Sequence, residues 1–96
     1  MEKQEVLTTL KKNKNKLKKF GVKKIGLFGS YSKETQNKGS DIDFVVEFEE
    51  GQKSFDNFMD LKFFLEDLFN KEIDLVTRES IKQEFKDSIM ESLEYV

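Results

Sequence analysis

The stretch IGLFGSYSKETQNKGSDIDFVVEF, residues 25–48, decides how this chain folds. An apolar run, Ile25 to Phe28, ends in Gly29-Ser30; a polar decapeptide follows; then Asp41 and Asp43 open a second apolar run through Phe48. Side chains on a strand point to alternate faces, so Asp41 and Asp43 emerge on one side and Ile42, Phe44, Val46 and Phe48 on the other, where they can be buried. Two carboxylates held this close repel, and one takes up a proton unless a cation lies between them. Mg²⁺ suits the gap, because it binds through one or two carboxylates plus substrate phosphates and keeps its remaining waters. Gly29-Ser30, at the end of the preceding strand, offers backbone that a ligand can approach closely, a hydroxyl, and free N–H groups if a helix begins there. The order thus suggests phosphate chemistry, with one element for the metal and the other for the phosphates.

Working outward, Lys23 to Phe28 reads as a strand, Ser30 to Gln36 as a helical turn, Asn37 to Ser40 as a loop and Asp41 to Phe48 as the central strand. Residues 3–19 are expected to form one helix on the recurrence of Val6, Leu10, Leu17 and Phe20, although Asn13 interrupts its stripe, and Gly21 stops it. Ser54 to Phe69 carries a broad apolar face with Ser54 as N-cap. Phe63 beside Phe64 makes that face wider than one sheet needs, so it is either core alone or core plus a partner surface. Glu72 to Val76 is a third strand, and a strand, crossover helix and strand of this length form a right-handed βαβ unit that sets 41–48 and 72–76 side by side and parallel. Asp74 then joins Asp41 and Asp43 on one face. Residues 79–94 close the chain as a helix with Ile81, Phe85, Ile89, Met90 and Leu93 inward, leaving Tyr95 and Val96 frayed.

Ninety-six residues make a single domain, 1–96, and the net charge of −2 draws it to neither nucleic acid nor membrane. The charge is unevenly spread: Lys11, Lys12, Lys14, Lys16, Lys18, Lys19, Lys23 and Lys24 crowd the front. That front is either the solvated face of a Lys-rich helix or a surface for RNA or an acidic partner. No interleaved aromatics or reading motif accompany the lysines, so nucleic acid ranks low among partners. Without cysteine or histidine there is no disulfide, thiolate metal site or imidazole base, and acid–base work falls to carboxylates, lysine or tyrosine. No apolar stretch approaches membrane-spanning length and the N-terminus lacks the apolar core of a signal peptide, so a cytoplasmic location is the expectation.

Gly-Ser, ten residues, Asp-x-Asp resembles the signature of the DNA polymerase β-like nucleotidyltransferase superfamily. The whole chain resembles its smallest members, the minimal nucleotidyltransferases (MNT, MntA-like antitoxins) encoded beside HEPN-domain toxins. The resemblance runs from the N-terminal helix to about Val76, and a closing helix fits as well. It implies an α/β (α+β) fold with a small mixed three-stranded sheet flanked by helices. A carboxylate triad beside a phosphate-binding turn suits two-metal nucleotidyl transfer. Asp41, Asp43 and Asp74 would be catalytic and would hold two Mg²⁺ ions, Asp74 serving as the base in the absence of histidine. Gly29 and Ser30 would hold the β- and γ-phosphates of ATP, with Lys33 either touching phosphate or solvated. The resemblance further implies transfer of AMP to a tyrosine hydroxyl of a cognate HEPN ribonuclease toxin, neutralising it; the alternative is a binding module that masks the toxin without catalysis. The chain departs from the family where Gly-Ser is followed by x-Ala-Arg-Gly, having Tyr31-Ser32-Lys33-Glu34, with Glu34 in place of a glycine near the expected triphosphate. Arg78, the only arginine, follows the third strand and serves either the site or the surface.

Overall fold

The alternation of residues 42–48 becomes the middle of a four-stranded mixed sheet. In the computed structural model, which describes all 96 residues, the elements run α1 (Lys3–Lys12), α2 (Lys14–Lys19), β1 (Val22–Phe28), α3 (Gly29–Lys33), β2 (Ile42–Phe48), α4 (Phe55–Phe69), β3 (Ile73–Thr77), a 3-10 turn (Arg78–Ser80), α5 (Gln83–Ser92) and β4 (Glu94–Tyr95). The strand order is β3-β2-β1-β4. β1 and β2 are antiparallel, whereas β2 and β3, joined by the α4 crossover, are parallel with Asp43 opposite Asp74.

One sheet face carries the core. Ile42, Phe44 and Val46 of β2 and Ile25 and Leu27 of β1 pack against Val6, Leu7 and Leu10 of α1 and Leu61, Leu65 and Phe69 of α4. Phe44 and Phe69 meet with ring centroids 5.7 Å apart, a tilted contact that adds to the area buried. α4 begins where Ser54 accepts a hydrogen bond from Asn57 N–H at 3.1 Å and ends on Asn70 in the left-handed region, φ 51°. Its apolar face extends past the core: Phe55 is 77% and Phe63 55% exposed. α4 is therefore wider than its packing requires.

The amino-terminal stretch is two helices where one was expected. At Asn13 (φ −108°, ψ 17°) the backbone N–H bonds Leu10 O and the side chain bonds Thr9 O at 2.8 Å, so the side chain competes for the carbonyls that would continue α1.

The carboxyl-terminal expectation also needs correction. The sheet has four strands, not three, because Glu94 and Tyr95 pair with Leu27 and Gly26, and Val96 N–H bonds Ile25 O at 3.0 Å. The tail is not frayed, since side chains fasten it. Tyr95 OH donates to Glu47 Oε2 at 2.8 Å and accepts from Arg78 Nη1 at 3.0 Å, with Lys24 Nζ 5.3 Å from the Tyr95 ring centroid. Residues 79–94 are not one helix, and Phe85 and Met90 do not point inward: Phe85 is 55% and Met90 40% exposed, and no residue of α5 is buried. Helical spacing identified an apolar stripe there, but α5 lies over the second sheet face near α3 and β1, where no further layer covers it.

Because one hydroxyl joins three elements, Tyr95→Phe is expected to lower stability by about 1 kcal/mol and to speed amide exchange at Val96. Unchanged exchange there, read by NMR, would show that β4 is held by its backbone alone.

Candidate active site

At the Asp43 end, the second sheet face carries polar groups in place of core, although Val45 farther along it is buried. Asp43 on β2 has Phe28 of β1 as one lateral neighbour and Asp74 of β3 as the other. Gly29 follows Phe28 immediately, with φ 74°, and a Cβ there would lie 2.2 Å from Asp43 Oδ2. Only glycine meets both the conformation and the approach. The turn and the carboxylate are thereby locked together: Gly29 opens α3, Ser30 is its second residue, and Ser30 Oγ makes no hydrogen bond within the protein.

Asp74 stands opposite Asp43 across the parallel β2–β3 ladder. Burial, then the charge and hydrogen bond of Asp74, then the charge of Asp41, push the Asp43 carboxyl up to about 6. Asp41 stands one residue before β2, is exposed, and acts on Asp43 through its charge. No three carboxylates are drawn together closely enough to cage an ion unaided. The geometry thus joins Asp43, Asp74 and Gly29-Ser30 directly and leaves Asp41 at the rim. An all-oxygen donor set with one proton already disfavoured at neutral pH fits a hard divalent cation such as Mg²⁺.

Lys33 ends α3 and lines a shallow depression with Ser32, Glu91 and Ser92, without forming an ion pair. Glu34, which stands at the family's glycine, is the C-cap of α3 with φ 61°. The backbone there asks for glycine, and a side chain in this region costs about 1–2 kcal/mol. Arg78 belongs to the Tyr95–Glu47 latch, 3.7 Å from Glu47 Oε2.

Ser92 is a site residue that the sequence does not reveal. Its hydroxyl accepts from Gly29 N–H at 3.1 Å, and its carbonyl accepts a bond from Ser32 Oγ. Leu93 beside it fills the space over Gly26, where a Cβ would meet Leu93 Cδ1 at 2.6 Å. Sixty-three residues separate Ser92 from Gly29, and no motif links them.

A model of the family described as nucleotidyltransferase domain matches residues 9–96. The chain belongs to the nucleotidyltransferase domain family. It is 43% identical over 95 residues to a protein of Methanocaldococcus jannaschii described as a candidate protein adenylyltransferase, covering 96% of this chain and 95% of that one. To the protein adenylyltransferase MntA of Thermococcus cleftensis it is 35% identical over 94 residues, 97% and 94% of the two chains. Among solved structures, a minimal nucleotidyltransferase superposes with TM-score 0.82 at 21% identity, over 98% and 95% of the chains. A toxin–antitoxin complex with AMP-PNP superposes at 0.68 with 23% identity, over 99% and 72%. A tri-AMPylated Shewanella oneidensis HEPN toxin bound to its MNT antitoxin gives 0.58 with 23% identity, over 88% and 69%. At such identities these structures establish the fold, and the minimal nucleotidyltransferase fold is what the mixed sheet and its helices form.

For this nucleotidyltransferase the raised Asp43 carboxyl has a thermodynamic consequence. A carboxyl whose folded pKa lies above its unfolded value of 3.8 binds its proton more tightly in the folded state, so its contribution favours folding as pH falls through about 6 and is fully present below 3.8. In EDTA, lowering the pH from 7.5 to 5.5 is expected to raise the melting temperature of the parent relative to Asp43→Asn; parallel pH profiles would show that the Asp43 carboxyl is not raised on folding. Glu34→Gly should raise stability by about 1 kcal/mol, equivalent to roughly 4–8 °C in a domain of this size. A melting curve that does not move would mean that position 34 is unstrained.

Proposed function

We propose that this nucleotidyltransferase moves AMP from ATP to a tyrosine hydroxyl of a cognate HEPN ribonuclease toxin and so acts as its antitoxin. The observation that carries the reading is the Asp43 carboxylate, set against Asp74 on one side and the Gly29-Ser30 turn on the other. A transferase of this type needs a divalent cation, a phosphate cradle and a base at one point, and these residues provide for all three. The names of the relatives support adenylyl transfer to protein, and the toxin complexes among structures of the same fold support a toxin as partner.

Asp43 and Asp74 would hold Mg²⁺, with Asp41 drawn in from the rim once a cation offsets the repulsion that keeps three carboxylates apart. The bound ions would supply Lewis-acid stabilisation of the charge that builds on the phosphoryl oxygens. The turn would orient the triphosphate through the Ser30 hydroxyl and backbone, leaving the α-phosphorus open to attack. Asp74, exposed on the edge strand β3, would take the proton of an incoming hydroxyl. The Asp74 edge of this face is exposed, which would leave room for a protein acceptor to complete the cleft.

A second reading has a specific observation behind it. Gly29 N–H is already engaged by Ser92, and Glu34 adds a negative charge beside the turn, both of which weaken a phosphate cradle. In that case the chain would bind the toxin and mask it without turnover.

Mixing the protein with the toxin, ATP and Mg²⁺ and weighing the toxin by intact-mass spectrometry separates the two readings. Catalysis predicts adenylyl adducts that Asp43→Ala and Asp74→Ala abolish while both variants remain folded; masking predicts inhibition and stable association without an adduct. Adducts that persist in Asp43→Ala would remove the carboxylates from the mechanism.

A further inference from the structure

The catalytic reading leaves one strongly charged surface unused. Residues 11–24 hold eight lysines and no acid in a chain of net charge −2, and none of the eight is in an ion pair, since the three pairs use Lys3, Lys53 and Arg78. Between α1, α2 and β1 runs a groove of about 170 Å³. Leu10, Leu17 and Val22 form its apolar floor, the exposed Lys14, Lys18 and Lys23 stand around it, and Val96 lies at its end. Lys24 also borders the groove, but its ammonium rests over the Tyr95 ring. This volume is below the ~300–1,000 Å³ usual for small-molecule pockets and suits one or two side chains.

One wall of the groove is a strand edge. β4 pairs with Gly26 and Leu27, Val96 N–H reaches Ile25 O, and no strand lies beside Val22–Lys24 on that side of β1. Such an edge recruits an extended chain through main-chain hydrogen bonds, while alternate side chains enter the pockets beside it.

We propose that this groove docks an extended segment of a partner protein in which acidic and aliphatic residues alternate, added to the edge of β1 in continuation of β4. The aliphatic row of such a strand would meet Leu10, Leu17 and Val22, and the field of the eight unpaired lysines would draw its carboxylates. Nucleic acid fits less well, because the groove has an aliphatic floor and no aromatic ring on which a base could stack. Neither Asp43 nor Asp74 lines the groove, so docking there is separate from the transfer chemistry.

The test is fluorescence anisotropy of the whole protein with a labelled ten-residue peptide alternating glutamate and valine. Comparison ligands are the same peptide with lysine for glutamate, an all-glutamate peptide and a ten-nucleotide uridine RNA. Only the first is expected to bind, with affinity falling at least tenfold in Lys14→Glu/Lys18→Glu, a variant whose melting temperature stays that of the parent. In the parent, binding should slow amide exchange within Val22–Lys24. Absence of binding at millimolar peptide, equal affinity for RNA or for the all-glutamate peptide, indifference to lysine reversal, or unchanged exchange would each overturn the proposal. So would light scattering showing a dimer that the lysine reversal dissolves, since the groove would then hold a second copy of this chain.

Discussion

The Asp43 carboxylate lies directly over the Gly29 backbone, and the rest of the structure depends on that contact. A side chain at residue 29 would collide with the carboxylate oxygen, so only glycine lets β1, its turn and β2 come together at this point. The antiparallel register that pairs Phe28 with Asp43 puts the turn there, and the parallel register that pairs Asp43 with Asp74 brings the second acid alongside. A one-residue slip in either ladder would turn the carboxylates into the core and the core residues into water. Burial of Ile42, Phe44 and Val46 against α1 and α4 therefore fixes the chemistry of the opposite face as well as the fold.

That division of labour explains what a reader of the sequence can and cannot see. β2 was legible because polar and apolar residues alternate from Asp41 to Phe44 and again from Val46 to Phe48, and α4 because its apolar stripe is long and its cap is a serine. Asp74 followed from alternation on a short strand and the rule that a helical crossover returns a strand parallel to its neighbour. The Gly-Ser turn, with its resemblance to the polymerase β-like signature, then placed phosphate chemistry beside the acids, and the glycine's approach to Asp43 accords with it.

The parts that were not legible share one cause, which is dependence on contacts far apart in the chain. Two residues at the carboxyl end make too short a run to read as a strand, and β4 exists because Glu47, Arg78 and Gly26 receive Tyr95 and Leu93. Ser92 reaches Gly29 across 63 residues without any local pattern to announce it. The stripe in α5 promised burial, but periodicity tells which residues share a face and not whether anything covers that face. Asn13 is the opposite case: the helix break is local and Asn13 visibly interrupts the apolar stripe, but whether its side chain turns back onto the Thr9 carbonyl is settled by the backbone around it.

The link between Ser92 and the Gly-Ser turn ties the four residues that follow Ser92 to the candidate site. Thermal fluctuation that loosened the latch at Tyr95 would pass through Leu93 and Ser92 to the Gly29 backbone, so tail order and turn order are one mechanical unit. For anyone handling the protein this is a practical matter. Removing residues 93–96 would loosen the turn as well as the sheet edge.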